Sequence, residues 1–322
     1  MKKWIAAVPA LALCALAQAQ TKWDLPTGYP TGSFQTENVQ QFANDVDKAT
    51  GGKLKITLHP NGSLFKANEI KRAVQTGQTQ AAEFLLSGSA NENPLFGVDS
   101  VPFLATSYGD AKRLYEVSRP ALDKLLAAQG MKLLFSIPWP GQSLYSVKAI
   151  NGPDDFKGTK MRAYNPATNR IAQLLKAQPT TIQLAELGQA LATGTVENFL
   201  TSSASGIENK LYEQTKFFYP VNAWLPRNAT VVNLKAFEAL DKPAQEAVLK
   251  AASAAESRGW AMSEQKDREY VKELAAKGMK VSPPSEGINR ELRKIGDVMT
   301  EEWLKTAGAE GKQIVDAYRA KH

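Results

Sequence analysis

The stretch that most limits what this chain can become is "DKPAQEAVLKAASAAESRGWAMSEQKDREYVKELAAKG", residues 241–278. Asp241 is a plausible N-cap, Pro243 sits in the first turn, and Gly278 supplies the stop. About 35 residues in one helix span ~50 Å, longer than one small domain is wide. Such a helix has to be shared. The chain has 322 residues, too many for one compact core, so two domains tied together by this helix are expected.

The rest of the sequence alternates between strand and helix patterns. "TKWDLPTGY" reads as a strand, "TENVQQFANDVDKAT" as an amphipathic helix, "KLKITLHP" as a period-two strand, "ANEIKRAVQTG" as a helix and "QAAEFLLS" as a strand. "SYGDAKRLYEVSRPALDKLLAAQG" predicts a helical pair broken at Pro120, followed by the strand "MKLLFSIPW". "PWPGQ" then reads as a connection, and a second unit follows with "KMRAY", "PTTIQL" and "VENFLTS" as strands around two helices. "AVQTGQTQAAEFLLS" and "ALATGTVENFLTS" share a helix closed by Thr-Gly and a short strand with a Phe, which points to duplicated architecture. After "RNATVVNL" the chain is helical, with separate helices expected in "EGINRELRKIGDVMTEEWLKTAG" and "GKQIVDAYRAK" and with Trp303 and Tyr318 as core contacts. The fold class expected is α/β, in two domains that share the long helix. Residues 20–140 with 229–268 would form domain I, and 141–228 with 269–322 domain II.

Residues 1–19 read as an export leader: the positive "MKKW", the apolar "IAAVPALALCAL" and the small residues Ala17 and Ala19. Cleavage is expected before Gln20. The apolar run of about a dozen residues is short of the ~20 that span a bilayer. The only cysteine, Cys14, would leave with the leader, so the exported chain must be held by its core and not by disulfides. Losing Lys2 and Lys3 lowers the formal charge from +7 to +5. Lys and Arg are interleaved with acids and form no dense block, which argues against nucleic acid as a partner.

The inventory of reactive side chains is thin. There are two histidines, His59 at a strand end before Pro60 and His322 at the last position. No Cys-His pair or Ser-His-Asp triad assembles, and neither a usual zinc ligand set nor a phosphate-binding glycine loop is visible. We therefore expect no catalytic residue, no metal and no cofactor. A binding protein, with its ligand in a cleft between facing α/β domains, fits better.

"FKGTKMRAYN" carries the most suggestive charge, Arg162, two residues before Tyr164 in a run that otherwise reads as a buried strand. Arg162 could lie exposed at a strand edge or pair with Asp154 or Asp155. Alternatively, its planar fork of donors could grip a carboxylate in a water-poor cleft. Trp139, Tyr145, Tyr164 and Trp224 could form an aromatic wall or pack as ordinary core.

Taken in order, "GGKLKITLHPNGSLFKANEIKRAVQTGQTQAAEF", "SVPFLA", "DDFKGTKMRAYN", "AELGQALATGTVENFLTS" and "AAKGMKVSPPS" resemble the periplasmic solute-binding subunits of tripartite ATP-independent periplasmic (TRAP) transporters, over essentially the whole exported chain. The resemblance implies an α/β chain of the two-domain periplasmic binding protein architecture, a periplasmic monomer that captures an organic acid and delivers it to integral membrane permease subunits. It implies that Arg162 holds the carboxylate, that Glu83 is a cleft acid, and that Gln142, Thr201 and Ser202 are ligand contacts. Gln142 stands where similar proteins carry a second arginine, "ENFLTSSAS" replaces "DGQENP", and Leu184 occupies a position often aromatic. With one fixed arginine, a small monocarboxylate is easier to hold than a dianion. Pyroglutamate, aromatic oxo or hydroxy acids and aliphatic oxo acids all fit that description. A periplasmic ligand sensor, or a lyase or isomerase on the same scaffold, is the competing expectation.

Overall fold

The computed structural model describes residues 20–320, so the expected leader, Cys14 and His322 lie outside the described residues. Along the first half run β1 (Thr21–Pro26), α1 (Phe34–Ala49), β2 (Leu54–His59), α2 (Ile70–Gln75), β3 (Ala81–Leu85), α3 (Tyr108–Ala128), β4 (Met131–Pro138) and β5 (Ser143–Ser146). Then come β6 (Lys160–Ala163), α4 (Pro166–Leu174), β7 (Gln178–Thr181), α5 (Leu184–Ala192), β8 (Asn198–Thr201), α6 (Ser203–Glu208) and β9 (Phe217–Tyr219). The chain closes with β10 (Arg227–Asn233), α7 (Leu234–Glu238), α8 (Lys242–Ala276), β11 (Lys280–Val281) and α9 (Glu286–Arg319).

These elements build two α/β lobes. In the first, β1 and β2 pair in parallel, and the returning strand β10 lies antiparallel between β3 and β4. Asp24 on β1 donates its N–H to Gln80 Oε1 and accepts from Thr79 Oγ1, which knits the pair to the start of β3. The second lobe holds a six-stranded sheet in the order β11-β9-β5-β8-β6-β7. Each lobe has its own apolar core: Phe34, Phe42, Phe135 and Ile137 in the first, and Phe156, Met161, Ile171 and Trp224 in the second.

The long helix is present and bridges the lobes as expected. Asp241 caps α8 by accepting from the Ala244 N–H at 2.8 Å, and Pro243 lies in its first turn. Val248, Ala251, Ala252 and Ala255 pack into the first core, whereas Leu274 near the other end belongs to a second-lobe cluster with Tyr145 and Phe199. Its small-residue face allows close approach: a Cβ added to Gly259 would sit 2.2 Å from Ile137 Cδ1 and 2.9 Å from Asn38 Nδ2.

Three expectations need correcting. First, α3 continues through Pro120, because Leu114, Tyr115 and Ser118 on one side and Leu122 and Leu126 on the other are all buried along the same helix. Tertiary packing overrides the break that proline would impose on an isolated helix. Second, the C-terminal segment does not belong wholly to the second lobe. Ile288, Leu292 and Ile295 at the start of α9 pack there, but Ile314 and Tyr318 pack with Leu95, Val98 and Leu114 of the first lobe. The expected separation of two helices survives as a kink at Gly308, whose φ of 62° and ψ of −145° interrupt α9. Third, β5 and β9 are strands that the sequence reading passed over, and they pair with each other between β8 and β11.

Two extended segments cross between the lobes side by side, joined by bonds from Trp139 N–H to Pro226 O and from Gln142 N–H to Trp224 O, each 2.8 Å. Gly141 is required at this crossing, since a Cβ there would lie 2.5 Å from Asn222 Oδ1.

Candidate functional site

The two lobes enclose a cleft of about 1000 Å³. Glu83 reaches it from β3, where strand alternation sends Ala82 and Phe84 into one core and leaves Glu83 on the opposite face. Arg162 reaches it from β6 by the same logic, since its neighbour Met161 points into the second-lobe core. Immediately after β6, Asn165 accepts from the Thr168 N–H at 2.8 Å and Pro166 takes the first turn of α4. That cap fixes where the strand stops. Arg162 and Thr201 lie near the C-terminal ends of the parallel strands β6 and β8, where ligands of α/β sheets usually sit.

Arg162 is 3% exposed, and no carboxylate among the described residues pairs with it. Its Nε donates to Ile182 O at 2.9 Å, and the guanidinium lies 4.9 Å from the centre of the Tyr164 ring. Asp154, one candidate partner from the sequence, is paired instead with Lys157, and Asp155 accepts from the backbone N–H groups of Asn151 and Gly152. Burial pushes the Arg162 guanidinium down to about 10, opposed by nearby Tyr164 and Tyr29, and leaves it cationic at neutral pH. A buried cation without a carboxylate partner has the charge and the donors to hold an anion.

Glu83 is 1% exposed. One carboxylate oxygen accepts from Thr27 Oγ1 and the other from Asn228 Nδ2 at 2.9 Å. Burial raises its pKa, and these two bonds pull it back. Asn228 Oδ1 in turn accepts from Trp139 Nε1 at 2.9 Å and from the Tyr29 hydroxyl at 3.1 Å. The Tyr29 and Trp139 rings stand 4.8 Å apart. Burial raises the Tyr29 phenol well above its usual range; Glu83 adds to that rise and Arg162 opposes it. Tyr29 therefore lies within electrostatic reach of both charged groups.

Of the residues expected at the site, Arg162, Glu83, Gln142, Thr201, Tyr164 and Trp139 line the cleft, as does Leu184. Gln142 Oε1 accepts from the Tyr164 hydroxyl at 2.9 Å, so the residue standing in for a second arginine is used to hold Tyr164. Trp224 and Ser202 do not line it. Trp224 is buried in the second-lobe core, and Ser202 is spent as the N-cap of α6, accepting from the Ser205 N–H. Tyr145 is likewise core, stacked on Phe199 at 5.0 Å. Tyr29 and Ser205 line the cleft and were missed, with Thr27 and Asn228 behind the wall. Tyr29 was in principle legible, because "TGY" directly follows β1, and the turn after a strand's C-terminal end is where ligands of α/β sheets usually sit. His59 is not a lining residue; its Nε2 lies 2.7 Å from Asp24 Oδ1.

Among the described residues no group of three or more His, Cys, Asp or Glu converges as a metal site, and no helix is long and apolar enough to cross a membrane.

The sequence model for bacterial extracellular solute-binding protein, family 7, matches residues 27–306, which takes in both lobes and the whole cleft. The chain belongs to that family. As a family 7 protein it is a solute receptor of the TRAP type, not an enzyme. Its fold superimposes on DctP6, a Bordetella pertussis extracytoplasmic solute receptor binding pyroglutamic acid, with a TM-score of 0.91 and 49% identity, covering 93% of this chain and 100% of the other. A marine metagenome TRAP solute-binding protein specific for pyroglutamate, crystallised with the co-purified ligand, aligns with a TM-score of 0.92 and 42% identity over 94% and 99% of the two chains. Among curated sequences, a solute-binding protein of Albidiferax ferrireducens is 24% identical over 287 residues, 87% of this chain and 83% of its own.

Proposed function

We propose that this family 7 protein captures pyroglutamate, a small cyclic monocarboxylate, and delivers it to the membrane permease of a TRAP transporter. The observation that carries the reading is Arg162: a buried guanidinium at the cleft with no carboxylate partner among the described residues. The ligand carboxylate supplies the missing charge through two parallel hydrogen bonds. Glu83, whose oxygens keep free lone pairs, accepts from the lactam N–H. Trp139 and Tyr29 face the ring. The two structural relatives above 40% identity support this choice, since their ligand is pyroglutamate.

Residues 1–19 act as a cleaved leader, and the exported chain works as a monomer whose lobes close about the crossings at 139–142 and 222–227. A ligand drives closure only by binding the closed form more tightly than the open one. Contacts to Glu83 from one lobe and Arg162 from the other provide that difference.

A thermal-shift screen of organic acids tests the reading. L-pyroglutamate at 100 times its Kd stabilises by about 2.7 kcal/mol and should head the panel, ahead of succinate, malate and aliphatic 2-oxo acids. A dicarboxylate giving the largest shift, with none from pyroglutamate, would refute it.

A further inference from the structure

Asn228 does not line the cleft, yet it holds the carboxylate of Glu83, which does. An amide side chain can be turned either way, and its two ends have opposite hydrogen-bonding sense. At Asn228 the surroundings decide. The indole N–H of Trp139 is a donor only, so the Asn228 atom 2.9 Å from Trp139 Nε1 has to be the carbonyl oxygen. The Tyr29 hydroxyl, 3.1 Å away, donates to the same oxygen. The NH₂ end is thereby aimed at Glu83, and it too can only donate. On the other side, Thr27 Oγ1 receives the Tyr29 backbone N–H at 3.4 Å and donates its proton to the second Glu83 oxygen.

The Glu83 oxygen that faces Asn228 therefore meets a donor whose direction is set by groups that cannot reverse, and the other oxygen accepts from the Thr27 hydroxyl. Asn228 is 2% exposed and Thr27 fully buried, so water has little room to substitute for either.

We infer that Asn228 is a positioning residue for ligand selectivity: clamped by Trp139 and Tyr29, it makes Glu83 an obligate acceptor. The cleft then selects carboxylic acids that carry an N–H or O–H donor and rejects isosteres that present a lone pair there. This rests on the pyroglutamate reading and deepens it. A ring oxygen in place of the lactam N–H would set its lone pairs against those of Glu83, leaving a buried acceptor unmet on each side.

The test compares two ligands of nearly the same shape, L-pyroglutamate and its lactone counterpart 5-oxotetrahydrofuran-2-carboxylate, by calorimetry. Wild type should prefer the lactam by at least about 100-fold. Asn228→Ala removes the directed donor and leaves Glu83 buried with less support for its charge, which shifts its carboxyl further toward the protonated form, the form that can donate to the lactone. The preference should shrink at least about tenfold, chiefly through stronger lactone binding. In Glu83→Gln, the intact Asn228 N–H holds the new carbonyl oxygen and turns the new NH₂ toward Thr27 and the cleft, so the preference should reverse. A purely structural loss would weaken both ligands alike and leave their ratio unmoved.

Wild type binding lactam and lactone within about threefold of each other would overturn the inference while leaving pyroglutamate as the ligand. So would an unchanged ratio in both variants. Failure of folded wild type to bind either compound would overturn the inference together with the reading beneath it.

Discussion

A guanidinium buried without a carboxylate destabilises the protein that carries it, and in the proposed function a ligand carboxylate offsets that cost at Arg162. Replacing it by methionine, which fills similar space without charge, should raise the unfolding temperature of the ligand-free protein, by an amount worth ~1–3 kcal/mol. A lower unfolding temperature for Arg162→Met, measured by calorimetry without ligand, would mean that its bond to Ile182 O and its contact with Tyr164 outweigh the desolvation cost. The sequence made Arg162 legible because a charge inside a strand pattern is conspicuous. Its aromatic neighbours were harder, because a tryptophan at a lobe crossing looks the same whether it lines a cleft or fills a core. Trp139 and Trp224 occupy the two adjacent crossing segments, yet only the first faces the cleft. Asn228 gave no sign at all: its role exists only through Trp139, Tyr29 and Glu83, which meet it from distant parts of the chain.

Secondary-structure elements meet at the lobe junction through a half-buried acid, Glu208. Glu208 at the end of α6 accepts from the Phe34 N–H at 3.0 Å, where the first turn of α1 leaves donors unpaired. Burial pushes Glu208 up to about 7, Phe34 and Ser33 oppose the rise, Glu37 adds to it and Lys266 lowers it. An unfolded glutamate titrates near 4.3. Between these values the folded chain holds a proton that the unfolded chain has lost. Stability from this group is therefore lost as pH rises through that window, and the whole cost is present above about 7. Glu208→Gln keeps an acceptor for Phe34 without the charge, so it should unfold at a higher temperature than wild type at pH 8, with the gap closing toward pH 5. A gap constant from pH 5 to pH 8 would contradict this origin. Elements as such were largely readable: caps, glycine stops and periodicity located α8 and most strands within a few residues. Pro120 misled, because the helix on both sides of it is pinned by buried residues that only the folded molecule brings together.

At the scale of the whole molecule, function follows from two cores that are separately packed but jointly strapped. The adjacent crossings, α8 and the kinked α9 all pass between the lobes and tie them at their junction, the place about which the proposed closure would turn. The side-chain bond from Asn165 Nδ2 to Ser87 Oγ, 2.9 Å, is one contact between lobes already made. The two-lobe plan could be read from the length of α8 and the repeated strand-helix rhythm. The return of the last helical segment to the first lobe could not, because its apolar residues would suit either core.

The central claim is that Arg162 anchors the carboxylate of a pyroglutamate-like ligand. Isothermal titration of L-pyroglutamate into residues 20–322, unfolded and refolded beforehand to remove any co-purified ligand, tests it most directly alongside Arg162→Ala. Wild type should show one saturable site, and Arg162→Ala should retain its fold but lose roughly 30-fold or more in affinity, the cost of removing one partner of a buried charge pair. Unchanged affinity in folded Arg162→Ala, or no heat of binding in wild type, would contradict the account.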